Sequence, residues 1–287
     1  MSMALKNMRA EDDGLTCPEV GGWAEEKYRL ISLYDELFST AMKNKWGKRV
    51  YIDLYSGAGH SRIRNTRIHL IGSPILALSV PYPFDKYIFC EGDPDKLTAL
   101  RKRGEKISTS ADVVYIEGSC DNRVESICNE IPNASFQRTV LSLCVVDPFD
   151  FGFKFETIRR LSQSRVDFLV LLAVWMDANR GYEHYVDGGN KKLDEALGNA
   201  LWRERWSAKP RPRDEFPNFV ANEFALSMSN LGYMKCGLDK MKLVRSNERN
   251  LPLYYLALFS RHVRAYQLWD QVLKYGTAQM GLSFGGE

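Results

Sequence analysis

The feature that most constrains this chain is a rhythm of short apolar blocks separated by polar segments of helical length. Five blocks carry it: Arg49–Tyr55 (RVYIDLY), Lys86–Glu91 (KYIFCE), Asp112–Glu117 (DVVYIE), Thr139–Val146 (TVLSLCVV) and Val166–Val174 (VDFLVLLAV). A strand with one wet face would alternate apolar and polar residues; a strand buried on both faces reads as a continuous apolar run. Blocks of this kind, spaced by helices, predict a parallel sheet covered on each side. The intervening helices are expected at Ser73–Ser79, Asp93–Arg103, Asp121–Glu130 and about Phe155–Gln163. A further helix, Trp23–Lys45, precedes the first strand, with Leu30, Leu33, Leu37 and Met42 at near-helical spacing.

The rhythm stops after the fifth block. From Met176 to about Asn230 only polar, helix-like segments occur, including the basic stretch Trp202–Asp214 (WRERWSAKPRPRD). A weak strand near Tyr233–Val244 and a clear one at Leu253–Ser260 predict a closing antiparallel hairpin, followed by a helix over Val263–Lys274. The expected organisation is an N-terminal helical segment (1–48), a core (49–175), a helical insertion between the fifth and sixth strands (176–230) and the end of the sheet (231–287). That gives an α/β fold with a Rossmann-like sheet of about seven strands. A chain of 287 residues is long for one plain domain, and the insertion takes up the excess.

Composition excludes several classes. With 45% hydrophobic and 26% charged residues the chain is not a disordered one. Thirty-nine Lys and Arg against 36 Asp and Glu leave +3, so any nucleic-acid contact has to be a local patch. No apolar run suits a signal peptide or a membrane span. The six cysteines form no C-x-x-C pair, and none of the four histidines pairs at i+3 or i+4, so no metal site is expected. These points predict a reduced, cytoplasmic protein with no membrane contact.

Open α/β sheets bind ligands beyond the carboxyl ends of their strands, at the switch point beside the first strand. That place holds Asp53-Leu54-Tyr55-Ser56-Gly57-Ala58-Gly59. A dinucleotide fingerprint needs a third glycine where Arg62 stands, and an acid ahead of the glycines repels phosphate. The acid suits a ligand bearing an ammonium or sulfonium charge. Acid followed by Gly-x-Gly resembles motif I of class I S-adenosylmethionine (SAM) dependent methyltransferases; a simple structural turn is the plain alternative. The resemblance implies SAM as cofactor, held by Asp53, Tyr55, Gly57 and Gly59. It also implies that Glu91 accepts the ribose hydroxyls beside Asp93 and that Ser119 and Cys120 border the adenine. In several base methyltransferases a segment like the first helix folds over SAM, which places Lys27, on one face with Trp23, at the methionine end. A solvated Lys beside a core Trp is the alternative there.

Asp147-Pro148-Phe149-Asp150 ends the fourth block. It resembles the Asp/Asn-Pro-Pro-aromatic element of amino-group methyltransferases, with Phe149 standing where the second Pro would be. There the carboxylate and a Pro carbonyl accept from the target NH₂ and an aromatic ring stacks on the base, orienting the nitrogen without a strong base. Alternatively, Asp147-Pro148 only ends a strand.

Taken together, the chain resembles the three-Cys-motif partner protein family of bacteria. The resemblance rests on Trp23–Tyr28 (WAEEKY), Val50–Leu54, Ser61-Arg62-Ile63, Gly72-Ser73-Pro74, Phe89–Pro94, Asp147-Pro148-Phe149, Met176-Asp177, Tyr254-Tyr255-Leu256 and Arg261-His262. It implies a methyltransferase-like fold and a partner that carries a three-cysteine motif. In the insertion, Trp202, Arg203, Arg205, Trp206, Lys209, Arg211 and Arg213 interleave rings and cations, a composition that stacks bases and neutralises phosphates. Arg62, Arg64 and Arg67 are expected to flank the same mouth, with Asp177 and Arg180 as further substrate contacts. A solvated helix face and an ordinary helix-cap ion pair are the alternatives. The expected function is methylation of an amino group on a nucleic-acid base; the other reading is a non-catalytic scaffold or partner protein.

Overall fold

The computed structural model describes residues 8–107, 110–135, 139–187 and 189–278; the outermost residues of the expected first and last segments, 1–7 and 279–287, lie outside these. In chain order, β1 (Arg9–Ala10) and β2 (Glu19–Val20) precede α1 (Ala24–Met42) and β3 (Lys48–Asp53). Next come β4 (His60–Ile63), β5 (His69–Ile71), α2 (Ser73–Leu78), β6 (Lys86–Glu91) and α3 (Pro94–Gly104). The alternation continues with β7 (Asp112–Glu117), α4 (Cys120–Glu130), β8 (Val140–Val146), α5 (Phe155–Leu161) and β9 (Val166–Leu172). A π turn (Val174–Ala178) leads into α6 (Tyr182–Val186), α7 (Lys192–Leu197), α8 (Trp202–Ser207) and α9 (Phe216–Asn230). β10 (Met241–Arg245), β11 (Pro252–Phe259) and α10 (Val263–Ala278) complete the fold.

Among the described residues, seven strands form the main sheet in the order β10-β11-β9-β8-β3-β6-β7. Five are parallel, and β11 runs antiparallel to both β9 and β10, so the final hairpin is present. β8 and β9 are buried at every position, which explains their unbroken apolar runs. One face packs on α1, α2, α3 and α10 through Leu30, Tyr34, Phe38, Leu100 and Trp269; the other packs on α4, α5 and α9 through Ile127, Ile158 and Phe224. The fold is a mixed α/β sheet with helices on both faces. Its strand order reverses between β3 and β8, and ligands bind at such a switch point.

Three local expectations are corrected. The basic segment Arg62–Arg67, where no strand is expected, lies in the β4–β5 hairpin, turning at Asn65 with φ +60°. The expected helical segment before the first core strand begins with β1 and β2. These join β5 and β4 in a second sheet of order β1-β5-β4-β2. Two-residue strands carry no readable period, so their pairing is visible only once Leu70, Ala24 and Tyr28 supply a small core beneath them. The expected strand near Tyr233 begins only at Met241. Before it, the Tyr233 hydroxyl donates to the Val166 carbonyl at 2.8 Å, which ties that segment under the sheet.

Candidate cofactor and acceptor site

A cavity of about 490 Å³ opens at the carboxyl ends of β3, β6 and β8. Its floor is the turn after β3. Gly57 has φ +62°, and a Cβ there would meet no atom within 4 Å; Gly59 has φ +82°, and its Cβ would meet Ile75 at 2.9 Å and Leu100 at 3.0 Å. Left-handed backbone excludes most side chains at both positions, and close packing on α2 and α3 excludes them a second time at Gly59. The Gly57 amide donates to Glu91 Oε2 at 2.8 Å, and the Asp93 amide donates to Oε1 at 2.9 Å. Glu91 is thereby fixed between the two turns, and each oxygen keeps a lone pair for a hydroxyl in the cavity.

The Asp93 side chain caps α3, accepting from the Asp95 and Lys96 amides at 3.0 and 3.3 Å, and those bonds hold its carboxyl below the usual range. Ser119 caps α4 by accepting from the Asn122 amide, and Ser119 and Cys120 both line the cavity. Burial pushes the Cys120 thiol up to about 12, so it is an uncharged wall; burial also raises the Tyr55 hydroxyl beside it.

Asp53 requires a correction. It is fully buried and does not line the cavity. Its carboxylate accepts from Ser73 Oγ at 2.7 Å and from the Tyr55 amide at 3.1 Å, so it braces the turn from behind. Burial pushes its carboxyl up to about 7, the nearby Asp147 adding to the rise and Ser73, the Tyr55 amide and Lys27 opposing it.

Lys27 and Asp147 meet across the cavity. Lys27 Nζ donates to Asp147 Oδ2 at 2.6 Å, and their side chains are 13% and 12% exposed. Burial works against the Lys27 charge, and the Asp147 carboxylate more than restores it, so the ammonium is held up. The Asp147 carboxyl is raised by burial and drawn back by Lys27. Lys27, expected at a cofactor, thus gives one of its three N–H donors to a protein carboxylate, and both side chains line the cavity. Beyond it, Pro148 is buried, while Phe149 is 76% exposed at the cavity rim. An apolar ring held in water beside a cavity and a carboxylate is placed for contact with a flat partner.

The expected substrate contacts fare differently. Arg62 pairs with Glu19 on the small sheet and does not line the cavity; Arg64, two residues on, does. Asp177 is committed inward, accepting from the Phe151 amide at 2.8 Å, Tyr185 Oη at 2.9 Å and Lys192 Nζ at 3.1 Å. These three bonds tie the 147–151 loop to the insertion. Arg180 is exposed past the π turn and outside the cavity lining. Trp202 is fully buried, its indole N–H donating to Asp194 at 2.7 Å, so it cannot stack on a base. Trp206 is 5% exposed, and Arg205 pairs with Glu223.

Sequence reasoning missed the cover. Pro18 to Gly21, Tyr28, His60 and Tyr254 also line the cavity. Arg103, 4% exposed, donates to Asp13 at 2.6 Å, to the Thr16 carbonyl at 2.9 Å and to the Ala58 carbonyl at 2.6 Å. One guanidinium therefore fastens the strap before β2 to the glycine turn. Its hydrogen bond holds the Asp13 carboxyl well below the usual range, and burial pushes His60 down to about 4. Among the described residues, no group of three His, Cys, Asp or Glu could hold a metal ion, and no helix is long and apolar enough to cross a membrane.

No protein-family model matches the sequence, and no curated protein matches it. Solved structures do resemble the fold. An O-methyltransferase from Bacillus cereus in complex with SAH is 11% identical over 86% of this chain and 84% of its own, with TM-score 0.44. Cofactor-bound Rv0187 from MTB is 11% identical over 80% of this chain and 79% of its own, with TM-score 0.44. Trm1 from Pyrococcus horikoshii with S-adenosyl-L-methionine is 9% identical over 83% of this chain, which spans 57% of it, with TM-score 0.42. Likenesses of this size fix no activity; the side chains in the cavity have to.

Proposed function

We propose that this protein is a SAM-dependent methyltransferase acting on an amino group of a nucleic-acid base. The observation that carries the reading is one cavity holding Glu91, braced by two turn amides, and the Asp147-Pro148-Phe149 corner. Its volume suits a small-molecule cofactor, and the open space beside Gly57 lets a ligand lie against the turn. Glu91 would accept the ribose hydroxyls, and Ser119 and Cys120 would border the adenine. When bound, SAM supplies an electrophilic methyl group. Asp147 Oδ1 and the Pro148 carbonyl would accept from the target NH₂ and aim its lone pair; Phe149 would stack on the base. Lys27 favours the ionised form of Asp147 and holds it in place, a positioning role. The N–C bond would form as the sulfonium C–S bond breaks with its electron pair leaving on sulfur, and the methylated nitrogen would then release one N–H proton to water past the Asp147 carboxylate.

The test is transfer of labelled methyl from SAM to fractionated RNA, DNA and protein by the full chain. Label in nucleic acid that falls at least 10-fold in Phe149→Ala and Asp147→Ala is expected. Label in protein alone would redirect the substrate, and SAM binding without any transfer would favour a second reading. In that reading the fold is a non-catalytic partner, as the family resemblance also implies, of a three-cysteine-motif protein. The Lys27–Asp147 pair favours it, because the target-holding carboxylate already has a protein cation on it.

A further inference from the structure

We propose that the groove between α8 and the first turns of α9 binds the phosphodiester backbone of a polynucleotide whose base enters the cavity. The proposal rests on the methyltransferase reading above and adds a second site to it. The groove has a volume of about 520 Å³, and Arg205, Lys209, Arg211, Asn218 and Asn222 wall it. The Arg211 guanidinium lies 4.9 Å from the Phe219 ring centre and 5.6 Å from that of Trp206. Two aromatic rings therefore neighbour its cation without taking up its N–H donors, which stay available to an anion. Lys209 is exposed, and among the described residues neither it nor Arg211 has an ion-pair partner. Of the two acids in the groove, Glu223 is bound by Arg205, which leaves Glu215 at the rim. The free charge is thus positive, and the asparagine amides add neutral donors suited to phosphate oxygens.

The start of α9, which walls the groove, reaches the carboxyl end of β9, the end of the sheet at which the cavity lies. Asn218 Oδ1 accepts from Tyr255 Oη at 2.9 Å, the Tyr255 ring lies 5.1 Å from Trp175, and the next residue, Met176, lines the cavity. Arg213 Nη2 donates to the Asn179 carbonyl at 3.2 Å, so the basic strip joins the π turn directly. Because Trp202 and Trp206 are buried, this surface offers phosphate contacts and no stacking platform. It would hold a strand without reading its sequence.

The experiment follows fluorescein-labelled single-stranded RNA and DNA oligonucleotides of one mixed sequence by anisotropy, with the full chain and across a salt series. The parent protein is expected to bind at least one of them, with affinity falling as salt rises. Lys209→Gln/Arg211→Gln should bind about 10-fold more weakly at low salt, with the log–log slope reduced by about 0.7 per cation removed. Lys209→Gln, at an exposed position with no packing role, should show half of that effect with an unchanged melting curve. SAM affinity by calorimetry should be the same in parent and variants. No binding of either oligonucleotide by a parent that binds SAM, or variants with the parent's affinity and slope, overturns the groove alone. Oligonucleotide binding with the expected slope by a parent that binds no SAM overturns the methyltransferase reading and leaves the groove standing.

Discussion

The cavity wall and the insertion use the same residue types to opposite ends. In the wall, Phe149 is 76% exposed at the rim and Glu91 faces the cavity from a braced position. In the insertion, Trp202 and Trp206 are inside, packed on Phe216 at ring distances of 5.9 and 5.0 Å, and the carboxylates of Asp194 and Glu223 are consumed by Arg203 and Arg205. Rings next to cations read alike in a sequence; what separates a core from a contact surface is whether the segment has another element to pack against. The wall residues sit at strand ends, where side chains leave the sheet for solvent. The insertion's helices pack on the sheet through α9, and their aromatics extend that core.

The comparison breaks most plainly at Trp202. If it is core, Trp202→Ala costs about 3–5 kcal/mol in urea unfolding. A surface stacker would cost almost nothing, and its loss would appear only in ligand binding.

An effect nearly as large is expected at Asp53. Its folded carboxyl titrates at about 7, against 3.8 for the ordinary group. Protonated Asp53 is the form burial favours, so this contribution to stability is complete below pH 4 and is lost as pH rises through about 7. At roughly 1.4 kcal/mol per unit, the loss between pH 4.5 and 7.5 is on the order of 3 kcal/mol. Asp53→Asn should remove that pH dependence, seen as a smaller difference between urea midpoints at pH 4.5 and 7.5. Equal pH dependence in both proteins would place Asp53 in contact with water.

Lys27→Met should cost about 2–3 kcal/mol, less than a fully dry pair would, because both groups keep some contact with water. Adding Asp147→Asn should recover part of it, since the uncompensated charge is then gone. Additive losses would mean that the two side chains are not coupled.

The sheet and the cavity floor were legible because burial on both faces and left-handed turns leave marks in short windows: unbroken apolar runs, and glycines at 57 and 59. Glu91 was legible as an acid at a strand end. Asp53 was legible as important but not as hidden, because whether a strand-end side chain points into the cavity depends on Ser73, twenty positions away. The strap over the cavity was illegible, since β1 and β2 have two residues each and their fastening, Arg103, sits at the end of a helix otherwise marked by a basic last turn.

The smallest contrast lies within the floor. Gly57→Ala has room for its methyl group and should cost only about 1 kcal/mol, from left-handed backbone. Gly59→Ala adds a clash with Ile75 and Leu100 and should cost more. Thermal unfolding of both variants ranks them, and the reverse order would mean that the turn packs differently on α2.

The central claim, that the cavity holds SAM against the glycine turn, is tested most directly by titrating the full chain with SAM in a calorimeter. Saturable binding of one SAM per chain is expected, weakened at least 100-fold in Glu91→Ala through loss of the ribose acceptor and of the brace on Gly57. A parent protein that takes up no SAM, or Glu91→Ala binding as tightly as the parent, would contradict it.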